Sequence, residues 1–116
     1  MTRNELLRRL YQMLEHARDA VDMAATRTQA QLEQERMFAL ALSRCVIVIG
    51  EAAGSIDTDI QARHPQIPWG DMIRMRNRLL EDYEVIDFDA LWSTVTADLP
   101  PLIQQLERII AEQEPD

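Results

Sequence analysis

From Leu6 onward, apolar residues return every three or four positions, at Leu6, Leu7, Leu10, Met13, Leu14, Ala17, Val21 and Ala24. That is the spacing of one face of an α-helix. Thr2 and Glu5 stand three apart just ahead of the series, a capping-box signature, so a first helix is predicted from there to about Ala25. The polar stretch Thr26 to Gln31 loosens the pattern. A second helix is predicted from near Leu32, with Met37, Leu40, Ala41, Cys45, Val48 and Ala52 on one face. Val46 to Ile49 would suit a strand in isolation, but they lie inside an alanine- and leucine-rich series with no internal breaker, which favours the helix. The small residues from Gly50 to Gly54 let another helix approach closely, and Gly54 marks the stop.

Asp57 or Thr58 caps a short connecting helix through Arg63, ended by Pro65. Pro68 suits the first turn of the next helix, where its missing N–H costs nothing, and Trp69 anchors that end in the core. Met72, Met75, Leu79 and Leu80, with Tyr83 beyond, form the apolar stripe of a helix reaching about Glu84. Asp87 then caps a final helix bearing Phe88, Leu91, Trp92, Val95, Leu99, Leu102, Ile103, Leu106, Ile109 and Ile110. Pro100-Pro101 is predicted to bend or split it, and the polar tail from Glu112 to Asp116 to fray. No strand pair, glycine hairpin or repeat interrupts this series. The expected fold is an all-α bundle of four long helices plus a short connector, in one domain over residues 1–116.

Composition narrows the chemistry. Twenty acidic against 12 basic side chains give a net charge of −8, which opposes nonspecific attraction to nucleic acid or anionic membranes. Any RNA contact must therefore use a local basic patch. The single Cys45 cannot form an internal disulfide, and the apolar run around Cys45 to Ile49 is far short of the ~20 residues that span a bilayer. A cytoplasmic location without membrane attachment is expected. His16 and His64 have no Cys or His partner at metal-ligand spacing, so no metal is expected. His16 reads as solvated surface and His64 as a helix-end residue. No phosphate loop, nucleophile elbow or base-stacking aromatic series appears, and no cofactor is expected.

The exception is Asp71 to Tyr83, where Arg76, Asn77, Arg78 and Glu81 are set among the apolar positions. One reading is a solvated helix face with Arg78 paired to Glu81 or Asp82. The other is a phosphate-binding arginine beside an amide and a phenol. Arg76 and Tyr83, seven residues apart, share a face, whereas Arg76 and Glu81 stand roughly 140° apart on a straight helix. The two join in one site only if the helix distorts or a second copy contributes, which points to a homodimer.

At these residues the chain resembles the HepT family of toxin ribonucleases, within the HEPN superfamily of small helical proteins encoded beside minimal nucleotidyltransferases. Five pieces carry the resemblance in order: Ile49-Gly50-Glu51-Ala52-Ala53, Arg63-His64-Pro65-Gln66-Ile67-Pro68-Trp69, Met75-Arg76-Asn77-Arg78-Leu79, Leu91-Trp92 with Thr94-Val95-Thr96, and Asp98-Leu99-Pro100-Pro101-Leu102-Ile103. The resemblance implies a dimer through the motif helix and metal-independent cleavage of RNA, tRNA or mRNA, at a composite site across the two-fold. The family signature is Arg, four residues, His, any residue, Tyr. Here Arg76 matches the arginine and Tyr83 the tyrosine, while Glu81 occupies the histidine position, with Asn77 and Arg78 in support.

In the family mechanism the arginine holds the phosphate while histidine moves the proton of the attacking ribose hydroxyl. Glutamate, with an ordinary pKa of ~4.3 against ~6.5 for histidine, is a weaker base at neutral pH and stays anionic. Two unit charges ~4 Å apart at an effective dielectric near 20 interact by about 4 kcal/mol, so the repulsion from two copies of Glu81 near a phosphodiester offsets much of what two arginines supply. Ribonuclease activity is expected to be greatly reduced or lost while fold and dimer persist. The resemblance also implies an MNT-type nucleotidyltransferase antitoxin that attaches AMP to the motif tyrosine, here Tyr83, although Glu81, Asp82 and Glu84 disfavour an incoming phosphate. The alternative is a catalytically inactive dimer that binds such a partner or a nucleotide.

Overall fold

The computed structural model describes residues 1–81 and 85–114. Its elements are α1 (Arg3–Ala25), α2 (Gln29–Gln34), α3 (Arg36–Gly54), α4 (Thr58–Arg63), α5 (Trp69–Glu81), α6 (Phe88–Ser93), a π-helical turn (Thr94–Asp98) and α7 (Leu99–Gln113). There is no strand among the described residues, and the all-α bundle is as expected. Helix α1 packs between α3 and α7, α5 lies along α3, and α2 bridges α3 to α6. One apolar core takes buried residues from every element but α4, with Leu10, Met13, Leu32, Leu42, Ile49, Met72, Leu91, Leu99 and Leu106 fully enclosed.

The ends follow local chemistry. Thr2 Oγ1 accepts from the Glu5 N–H at 3.1 Å while the Glu5 carboxylate accepts from the Thr2 N–H at 3.0 Å, the reciprocal pair expected for α1. The predicted second helix differs. It begins earlier, where Thr28 and Gln31 form their own capping box, and it is cut at Glu35, whose backbone is extended. Glu35 accepts from Arg27 at 2.7 Å, and the Arg27 guanidinium lies 4.7 Å from the Phe38 ring centre, so the side chains at the junction fasten the break.

Helix α3 also turns a different side inward. Cys45, Val48 and Ala52 are buried as expected, but Met37 is 85% and Leu40 49% exposed, and Ala41 faces solvent. Phe38, Ala39, Leu42, Val46, Ile49 and Ala53 fill the core instead. The helix is apolar around most of its circumference, so periodicity could not choose the side; packing against α1 and α5 does. By length and composition α3 could cross a bilayer, contrary to the expectation that no apolar stretch was long enough, yet 61% of that stretch is buried inside the bundle.

Helix α4 spans Thr58–Arg63, with Asp57 as N-cap residue and His64 as C-cap. Trp69 is buried, and its Nε1–H donates to the carbonyls of Gln61 at 3.1 Å and His64 at 3.0 Å, which ties the start of α5 to the connector. Pro68 sits one residue ahead of α5, and its carbonyl accepts the first helical bond, from the Met72 N–H. The predicted extension of α5 to Glu84 lies outside the described residues.

Asp87 caps α6 by accepting from the Ala90 N–H at 3.0 Å. The predicted bend takes the form of the π-helical turn, placed just before the prolines, which occupy the first turn of α7. A proline ring clashes with the carbonyl four residues back and supplies no N–H, so the turn ahead of Pro100-Pro101 widens rather than closing as α-helix.

Candidate functional site

The polar residues of α5 separate by direction. Met72, Met75 and Leu79 enter the core as expected, whereas Leu80 is 50% exposed and leaves the predicted stripe. Asn77, Arg78 and Glu81 are exposed, and Arg76 is half-buried. Tyr83, with Asp82 and Glu84, lies outside the described residues.

What sets Arg76 apart is the helix behind it. A Cβ added at Gly50 would fall 2.3 Å from the Arg76 Cβ, 3.0 Å from its Cγ and 2.6 Å from the Met72 carbonyl oxygen. Only a residue without a side chain lets α5 approach α3 this closely, and the aliphatic stem of Arg76 lies across the gap. The close approach expected of the Gly50 to Gly54 segment is therefore made at Gly50. At Gly54 the same addition would meet Ile73 at 3.7 Å, an ordinary contact. Beyond its stem, Arg76 Nε donates to Asn77 Oδ1 at 2.7 Å, so the neighbouring amide steadies the guanidinium.

The other arginines of α5 are engaged. Arg74 pairs with Asp71 on the same helix. Arg78 donates to Asp87, the N-cap residue of α6, at 2.9 Å, and among the described residues it does not pair with Glu81, one of the two carboxylates predicted for it. Asp87 is held below the usual carboxylate range, first by the Ala90 N–H and also by Arg78. Among the described residues Arg76 makes no ion pair, and it is the arginine of α5 left to meet an anion. Sequence spacing gave no hint of the link from Arg78 to Asp87, because the two are nine residues apart and belong to different elements.

Glu81 ends α5, exposed to solvent, and the half-buried stem of Arg76 is directed against α3.

The remaining chemistry is sparse. His16 is half-buried and donates from Nδ1 to the Gln12 carbonyl at 2.8 Å, a local bond within α1 rather than free surface. Burial pushes the Cys45 thiol up, away from nucleophilic use. Among the described residues no cluster of three or more His, Cys, Asp or Glu side chains is placed to hold a metal. A groove of about 350 Å³ opens where α2 meets α3, lined by Leu32, Arg36, Leu40, Val85, Ile86 and Phe88 among others.

Together these features describe a small helical bundle in which an arginine-bearing helix, α5, is pressed on α3 at Gly50. A family model described as ribonuclease HepT-like matches residues 13–109, and the chain belongs to that family. A candidate ribonuclease of Methanocaldococcus jannaschii is 30% identical over 107 residues, covering 92% of this chain and 98% of its own. A second from the same organism is 28% identical over 114 residues, covering 98% and 94%. A protein of Thermococcus cleftensis named probable ribonuclease HepT is 41% identical over 69 residues, covering 60% and 63%. No solved structure matches the chain at a significant level.

Proposed function

We propose that the chain is the toxin component of a HepT/MNT-type toxin–antitoxin pair, a single-domain cytoplasmic protein whose site is completed by a second copy of itself. The observation that carries this reading is Arg76, set by Gly50 and Asn77 and without an ion pair among the described residues. Around it, Leu40 and Leu80 are about half exposed on α3 and α5, with Ile47 and Ile73 partly covered between them. A two-fold axis through this apolar surface sets two Arg76 guanidiniums on one RNA phosphate, with Tyr83 of each copy completing the site.

The chemistry follows without a metal. The ribose 2′-hydroxyl attacks the adjacent phosphorus, the bond to the 5′ oxygen breaks, and the arginines stabilise the charge gathering on the phosphoryl oxygens. A base must take the hydroxyl proton and an acid must return one to the leaving oxygen. Glu81 occupies the position of the family base. A carboxylate in place of the family imidazole repels the phosphate, so cleavage of tRNA or mRNA is greatly slowed. The partner is a nucleotidyltransferase of the MNT type, with Tyr83 as acceptor of AMP.

A second reading, a non-catalytic dimer that binds the nucleotidyltransferase or a nucleotide, is favoured by that same exposed Glu81. Glu81→His separates the two. If it creates RNA cleavage and growth arrest that the present sequence lacks, the second reading stands, with the family's centre disabled at one residue; slow cutting of tRNA or mRNA by the present chain, abolished by Arg76→Ala, supports the first. If Glu81→His is as inert as the parent, the ribonuclease reading fails.

A further inference from the structure

The solvent side of α3 carries Met37, Leu40, Arg44, Ile47 and Glu51 in succession. Arg44 and Glu51 are both exposed, and neither pairs with another described residue. Seven residues apart, they lie nearly in line along the helix, offset by only ~20° and about 10 Å apart. Midway between them lie Ile47 and Val48.

One charge of each sign, evenly placed about a central apolar position, is self-complementary under two-fold symmetry. An antiparallel copy of the helix puts its Glu51 opposite Arg44 and its Arg44 opposite Glu51. We propose that a second copy of the chain docks on this face by an antiparallel crossing of the two α3 helices at Ile47, held in register by two symmetry-related Arg44–Glu51 ion pairs. This inference rests on the dimer proposed above and supplies its geometry.

Charge selects this arrangement over its competitors. Sliding one helix by two turns sets Arg44 against Arg44 or Glu51 against Glu51, and a parallel crossing in register does both. Exposed ion pairs add little affinity, whereas like charges in contact reject a wrong arrangement. The affinity comes from Leu40, Ile47 and, from α5, Ile73 and Leu80. Each charge lies only about 5 Å from the crossing point, so the pairs survive the usual range of helix-crossing angles.

The register also places the arginines. Gly50 is less than one turn from Ile47, and the stem of Arg76 packs on Gly50. An α3 crossing at Ile47 therefore brings one Arg76 to each side of the axis, within a turn of it along the helix. A crossing centred near Met37 would leave the two arginines far apart and the composite site unmade.

The test is a charge-swap cycle on the full-length chain, read as dimer dissociation constant by sedimentation. Arg44→Glu and Glu51→Arg, each alone, create two like-charge contacts and are expected to weaken the dimer by about tenfold or more. The double variant restores opposite pairs and is expected to return to within a few-fold of the parent. Helicity and melting temperature of the dissociated chain stay constant, because both side chains are exposed. A dimer indifferent to the single reversals, or a double variant no better than the singles, overturns the register while leaving the dimer reading intact. A parent chain that stays monomeric at high concentration overturns both, and a foreign protein that alone protects Leu40 and Ile47 assigns the face to that partner instead. A normal dimer whose Glu81→His variant cuts no RNA sinks only the ribonuclease reading.

Discussion

Gly50→Ala tests the contact on which the placement of Arg76 depends. The added methyl would lie 2.3 Å from the Arg76 Cβ and 2.6 Å from the Met72 carbonyl oxygen. Carbon atoms pack at about 3.5–4.0 Å, so the two helices must separate by about 1 Å. The side chain of Arg76 cannot relieve this by changing rotamer, since its Cβ is fixed to the backbone and the other obstacle is a backbone oxygen. Overpacking of this kind costs about 1–3 kcal/mol, against which alanine offers up to about 1 kcal/mol of better helix propensity. The clash prevails, with a net loss of about 1–2 kcal/mol, or roughly 4–8 °C in Tm for a chain of this size. Gly54→Ala is the control: its methyl meets Ile73 at 3.7 Å, so it should leave Tm unchanged or slightly raised. Thermal unfolding followed by circular dichroism reads both. If Gly50→Ala melts at or above the parent, or no lower than Gly54→Ala, the tight crossing does not hold α5 in place.

Other outcomes follow from single contacts. Trp69→Phe keeps a six-membered aromatic ring but removes the five-membered ring with the Nε1–H that serves Gln61 and His64; the lost hydrogen bonds and packing together should cost about 1–3 kcal/mol, seen in urea unfolding as a lower midpoint. The lowered pKa of Asp87 means that the folded state holds its proton less readily than the unfolded chain. Its contribution to stability is therefore present above the ordinary carboxylate pKa and lost as pH falls through the depressed folded value. Asp87→Asn should reduce stability at neutral pH and flatten its decline in the acid range; an unchanged acid limb in Tm against pH would contradict this.

Helix caps and proline positions were legible because their chemistry is local. Thr2 with Glu5, Asp87, and the Pro100-Pro101 pair each act within one turn of chain. Thr28 with Gln31 carried the same signal as Thr2 with Glu5, but its surroundings are polar and the helix it starts is only 6 residues long. The inward side of α3 was not legible, since a helix apolar nearly all round has no unique stripe and tertiary packing decides. At the site, the motif pointed to Arg76 and the segment Gly50 to Gly54 to a close approach, yet nothing in the spacing said that the one is pressed on the other. That link joins residues 26 positions apart and exists only once α5 lies on α3.

The π-helical turn explains a spacing that an ordinary helix would not accept. Leu91, Val95 and Leu99 follow one another at intervals of four, and all three are wholly enclosed. On a straight α-helix eight residues carry the third about 80° around from the first, enough to swing Leu99 toward water. The wider turn from Thr94 to Asp98 takes up that rotation. It works as a rotary offset, letting α7 begin in phase with α6, so that Leu102, Leu106 and Ile109 continue into the same interior. Losing one residue there would rotate the whole C-terminal helix and turn its apolar side outward, although no core side chain had changed.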